Sequence, residues 1–177
     1  MSLLGWRQWA VDRDGLLRPA WTPWTPFPAG LLLWRPDGLT RAYCLRDAHA
    51  PGEPPGAAVG PITAVSRPDD GTRQPDDGAQ GVIPADGCVC GLYAWRDPET
   101  LAAAPVPRWT RRPIVTGAVR LGGRVIVGER GYRAEVGYPV AIHDPNGVIA
   151  PAYQVARYRD WRALVAEWRP EAPPTAA

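Results

Sequence analysis

The sequence contains no lysine; all 20 of its basic residues are arginine. That absence excludes a P-loop lysine and a Schiff-base amine. Serine is nearly missing as well: Ser2 and Ser66 are the only two, and neither sits in a G-x-S-x-G nucleophile turn. Asn146 is the sole asparagine, and His49 and His143 are the only histidines. Few catalytic constellations can be assembled from so short an inventory, so a non-enzymatic role is the expectation. Long apolar runs are lacking too. The strongest, GLLLW at 30–34, falls far below the roughly 20 residues that span a bilayer. The opening MSLLGWRQWAVDRDG has no basic start, no long apolar centre and no small-residue cleavage site. A soluble, cytoplasmic chain with no membrane partner is expected. The net charge of +2 is a weak electrostatic footprint for nucleic acid, and abundant Arg, Ala, Pro and Gly read as GC-rich coding.

What is present points to a small, mostly β domain. GWRQWAVDRDGLLR (5–18) alternates apolar and polar residues around DRDG, the pattern of a hairpin. The tandem W-T-P of WTPWTPFP (21–28) predicts extended chain, because each proline fixes φ and removes a donor. GLLLWRPDGLTRAYCL (30–45) reads as two strands around an RPDG turn. Residues 51–87 form a Pro/Gly/Asp-rich insertion, and the two P-D-D-G copies at 68–78 lack the spacing of a calcium loop. CVCGLYAW (88–95) predicts a strand, and DPETLAA (97–103) a short helix with Asp97 as N-cap, Pro98 first and Glu99 in the first turn. Residues 113–142 predict a three-strand meander with turns at Gly122–Gly123 and Arg130–Gly131. In AYQVARYRDWRALVAEW (152–168), Tyr158, Trp161, Val165 and Trp168 recur at helical spacing and predict an amphipathic helix. The expected fold is therefore mostly β (α+β): a small antiparallel sheet or partly open barrel with a C-terminal amphipathic helix packed on it. A single domain over 1–169, with the insertion at about 51–87 and a disordered tail at 170–177, is the expected organisation.

The chain has only three cysteines, and with one histidine they flank the insertion. Cys44 is followed five residues later by His49; Cys88 and Cys90 stand on the far side. Three thiols and one imidazole are the complement of a closed Cys3His tetrahedral zinc site, which is structural because no coordination position stays open. Such an ion would clamp the two roots of a long loop. The C-x-C spacing is tight for this role, since an extended strand points the two side chains to opposite faces. Gly91 offers a bulge or sharp turn that relieves the conflict. Buried reduced thiols, a Cys44 disulfide to Cys88 or Cys90, and a reactive Cys88 or Cys90 with His49 or His143 as base are the alternatives. His143, in IHDPNG, otherwise reads as a surface turn residue.

Several of these stretches, GWRQW (5–9), AYC (42–44), HAP (49–51), CVCGLYA (88–94) and GAVRLGGRVIVGERGYRAEVGYP (117–139), resemble a family of small uncharacterised proteins common in high-GC bacteria. The resemblance covers about 5–50 and 88–158, departs from the family pattern at the long insertion and at Gly123, and implies no activity. It ties Cys44, His49, Cys88 and Cys90 into one constellation. The expected function is a non-enzymatic binding or adaptor domain for a protein partner, stabilised by structural zinc. A second reading is nucleic-acid binding through Arg108, Trp109, Arg111, Arg112, Arg130, Tyr132 and Arg133. These lie in a stretch, 96–133, with eight arginines against three acids.

Overall fold

The computed structural model describes residues 3–22, 27–28, 30–44 and 83–169. Most of the insertion, part of the W-T-P repeat and the C-terminal tail, and with them His49 and both P-D-D-G copies, lie outside the described residues.

The fold is mostly β, as the alternating patterns predict. Strands β1 (Leu3–Val11), β5 (Ile114–Val127) and β6 (Gly131–His143) make an antiparallel core in the order β1-β5-β6. The short β4 (Leu92–Trp95) bonds to the free edges of both outer strands, to β6 over Gly131–Ala134 and to β1 at Trp6. Four strands thus close into a ring. Three shorter strands extend it: β2 (Leu17–Pro19) along β1, β3 (Thr40–Arg41) along β6, and β7 (Ala156–Tyr158) parallel to the end of β6. Helices α1 (Pro98–Ala103) and α2 (Trp161–Trp168) complete the described residues.

Local chemistry explains the turns. Asp12 holds the β1–β2 hairpin by accepting hydrogen bonds from the Asp14 and Leu16 amides at 3.0 and 2.9 Å and by pairing Arg18 at 2.9 Å. Gly15 closes that turn at φ +76°, with Ala150 so near that any side chain would collide. Asp97 caps α1 as predicted, accepting from the Thr100 amide at 2.6 Å, with Pro98 in the first turn.

Three expectations are corrected. Gly122–Gly123 is not a turn. It is a bulge within one 14-residue strand, with the register to β6 shifting between Gly122 and Val125 and Gly123 at φ +67°. The two glycines let β5 bend onward where a turn would have ended it, so there are two long strands and not three. In the RPDG segment only Thr40–Arg41 is a strand; Trp34 instead donates its amide to Leu17 at 3.0 Å. The C-terminal helix is shorter than the apolar spacing suggests. Ala156–Tyr158 pair with the open edge of β6, and α2 starts only where Asp160 caps it by accepting from the Arg162 amide at 2.9 Å.

The sheet is covered on both faces, because β1 alternates. Trp9 and Val11 enter one cluster with Leu17, Trp34, Val115, Leu121, Ile142 and Tyr153. Trp6 enters the other with Leu101 of α1 and Leu164 of α2. Trp161 meets Trp6 edge-on at 5.6 Å, so the aromatic stripe of α2 docks on the sheet.

Candidate metal centre

Strand β6 is the template on which the cysteines meet. Beta-strand β3 pairs with β6 at Val136–Gly137, and the Ala42 amide donates to the Glu135 carbonyl at 2.7 Å, which carries Cys44 to the sheet edge. On the same edge, β4 pairs one step earlier along β6 and brings in the segment before it. That segment, 83–91, is a bent loop rather than the strand expected from Cys88 onward. The Cys88 amide closes a turn onto the Ala85 carbonyl at 3.4 Å, with Gly87 at φ +73°. Gly91 adopts φ +126°, a backbone conformation that strains any side chain, and the Cβ atoms of Pro84 and Arg133 would be in tight contact with one. Because 88–90 is not extended, the C-x-C pair need not point to opposite faces. The relief anticipated at Gly91 is what the chain uses.

The three sulfurs of Cys44, Cys88 and Cys90 all lie within 4.8 Å of one another. The Sγ atoms of Cys44 and Cys88 are 3.8 Å apart, a thiol–thiol contact well beyond a disulfide bond of about 2.05 Å, and all three cysteines are free. Cys90 is buried, and Cys44 and Cys88 are half-buried. Ala42, Ile83, Ala85 and Leu92 pack around them. Ile83 and Ala85, expected in the end of the insertion, are thus part of this small core. The described thiols can hold a metal ion.

Arg133 is the brace of the loop. Its Nη1 donates to the carbonyl oxygens of Cys88, of Cys90 at 3.2 Å and of Ala85 at 3.5 Å. One cationic group thereby gathers three carbonyls that would otherwise splay the turn. The sequence offered Arg133 as a phosphate ligand, and its side chain is engaged here instead. No local motif announces the brace; only the β4–β6 register, which sets Tyr93 opposite Arg133, brings it beside the loop.

The electrostatics at Cys90 do not suit a thiol nucleophile. Burial pushes the Cys90 thiol above its ordinary value, and the neighbouring Cys88 and Cys44 raise it further against an opposing hydrogen bond with the Ala85 backbone. An activated cysteine needs the opposite shift. His143 is no base for it: it ends β6, away from the β3–β4 end, with Nε2 at 3.2 Å from the Arg159 carbonyl and its ring against Trp161. The turn follows it, where Asp144 accepts from the Val148 and Ile149 amides. His49 lies outside the described residues.

Of the residues offered for nucleic acid, Arg108, Trp109, Arg111 and Arg112 precede β5, whereas Arg130, Tyr132 and Arg133 stand at its other end. Trp109 donates its indole N–H to the Ala20 carbonyl at 2.7 Å, and Arg96 lies over the Tyr132 ring. No helix among the described residues is long and apolar enough to cross a membrane. No family model matches the chain, nor does any curated protein or solved structure, so the cysteine centre stands on its own geometry.

Proposed function

We propose that the chain is a non-enzymatic binding domain whose cysteine loop is held by a structural zinc ion on Cys44, Cys88 and Cys90. The observation that carries this reading is the sulfur spacing. Zinc–thiolate bonds of about 2.3 Å in a tetrahedron put neighbouring sulfurs about 3.8 Å apart. Cys44 and Cys88 have that separation, with Cys90 close by. Soft donors in an apolar setting favour zinc over harder ions. His49, five residues after Cys44, is the fourth donor offered by the sequence. The ion would tie together residues 44 apart in the chain, offsetting a closure entropy of about 3 kcal/mol. With all donors used for holding the loop, the ion supplies stability, and recognition falls to the surface beside it.

Metal analysis of tag-free protein tests this. Near-stoichiometric zinc is expected in the parent. Cys90→Ser should lose the metal together with cooperative unfolding, and His49→Ala should weaken retention. Parent protein that is free of metal yet melts cooperatively would overturn the reading.

A further inference from the structure

Beside the cysteine loop runs an open groove of about 970 Å³, and a smaller cavity of about 270 Å³ lies against the three cysteines. Arg7 lines both. The gap has a structural origin. Along one edge of β1, β2 pairs from Trp9 onward and β4 pairs only at Trp6, which leaves Arg7 between them. Arg7 shares its strand face with Trp9 and Val11, the face that builds the core, so the cation is turned inward. It lies over the buried Trp34 ring at 4.9 Å and donates Nη1 to the Tyr93 carbonyl. Its Nε is sealed from solvent with no partner, and no carboxylate among the described residues pairs with it.

The groove repeats that imbalance. Arg7, Arg130 and Arg133 line it, and no acidic residue does among those described. The rest of its wall is largely aromatic and aliphatic, with Trp21, Tyr93, Trp95 and Ile126. Trp21 and Tyr93 are each about half exposed, at 50% and 47%, and so are open to contact. A half-buried cation without a counter-charge, beneath apolar walls, is complementary to one kind of molecule.

We propose that this groove binds an organic anion, a carboxylate on an aromatic or aliphatic frame, with Arg7 as its charge partner and the aromatic wall holding the frame. Arginine suits the role because its planar fork meets a carboxylate while its face stays on Trp34. The inference rests on the reading of the chain as a binding domain but needs no metal, so the two fail separately.

Titration calorimetry of the full chain with 4-phenylbutanoate, and with 4-phenylbutan-1-ol as its uncharged counterpart, tests it. The acid should bind at least tenfold more tightly than the alcohol. Arg7→Met should erase that difference while thermal unfolding shows the fold intact. Val89→Glu, at an exposed position on the groove wall, adds a carboxylate at the site. It should weaken the acid and spare the alcohol, which keeps the test valid should Arg7→Met fail to fold. Equal binding of acid and alcohol, or an acid preference unchanged in both variants, would overturn the proposal. So would tight binding of a dT12 oligonucleotide with no binding of the acid. Zinc content measured on the same samples reports the metal reading independently.

Discussion

Replacing Arg7 by methionine should leave the protein as stable as the parent or make it more so. Burial lowers the Arg7 pKa from the ordinary guanidinium value to about 10, so the side chain is still charged at neutral pH but held there at a cost. That depression corresponds to about 3 kcal/mol. Contact with the Trp34 face returns about 1–2 kcal/mol of that, and the bond to the Tyr93 carbonyl returns part of the remainder. Methionine keeps the stem on Trp34, needs no counter-charge, and leaves a carbonyl that water can reach beside the half-exposed Tyr93. The net expectation runs from no change to a gain of about 2 kcal/mol, at roughly 2–4 °C per kcal/mol for a chain of this size. Urea unfolding and thermal melts at neutral pH measure it. The pH dependence adds a signature. For a base with a depressed folded pKa, the penalty is present below pH 10 and relieved as pH rises from about 10 toward the ordinary guanidinium range, so the advantage of Arg7→Met should shrink above pH 10. A loss of more than about 2 kcal/mol at neutral pH would refute the reasoning, because Arg7 would then be a structural keystone and not a cation awaiting a partner.

Two further outcomes follow from the same contacts. Arg133→Met removes the brace on the Ala85, Cys88 and Cys90 carbonyls and should weaken zinc retention by about 10–100-fold in a chelator competition, with the sheet's circular dichroism unchanged; unaltered retention would show that the loop holds itself. The buried Tyr153 hydroxyl donates to the Trp34 carbonyl at 2.5 Å and accepts from the Leu17 amide at 2.8 Å, so Tyr153→Phe orphans two backbone groups and should cost about 2–4 kcal/mol in urea unfolding, with a loss below 1 kcal/mol contradicting the assignment. Burial also raises the Tyr153 pKa to about 12, so its contribution is whole below pH 10 and lost between pH 10 and 12, an alkaline limb that Tyr153→Phe should lack.

Elements whose cause is local were legible in the sequence. Asp97-Pro98 announces a helix start because the cap acts over three residues, and DRDG announces the first hairpin because Asp12 and Gly15 do their work inside the turn. Elements decided by a distant partner were not. Gly122–Gly123 suits a turn or a bulge equally well until β6 is known to continue past it. Ala156–Tyr158 follows a helical apolar spacing but becomes a strand because β6 leaves an edge open. The cysteines were legible as a set because their residue type is rare here. The meeting of the three thiols was expected from that set; the means was not legible, since it depends on β3 and β4 docking on the same edge of β6. Arg7 carried one overlooked signal: in β1 it occupies the alternation position shared with Trp9 and Val11, which makes it a charge on an apolar face.

The central claim is that Cys44, Cys88 and Cys90 share one ion. X-ray absorption at the zinc edge of tag-free protein reads the ligands directly. The account predicts about three sulfurs at about 2.3 Å and one lighter donor. A first shell made of nitrogen and oxygen alone, or one that persists unchanged in Cys90→Ser, would contradict it.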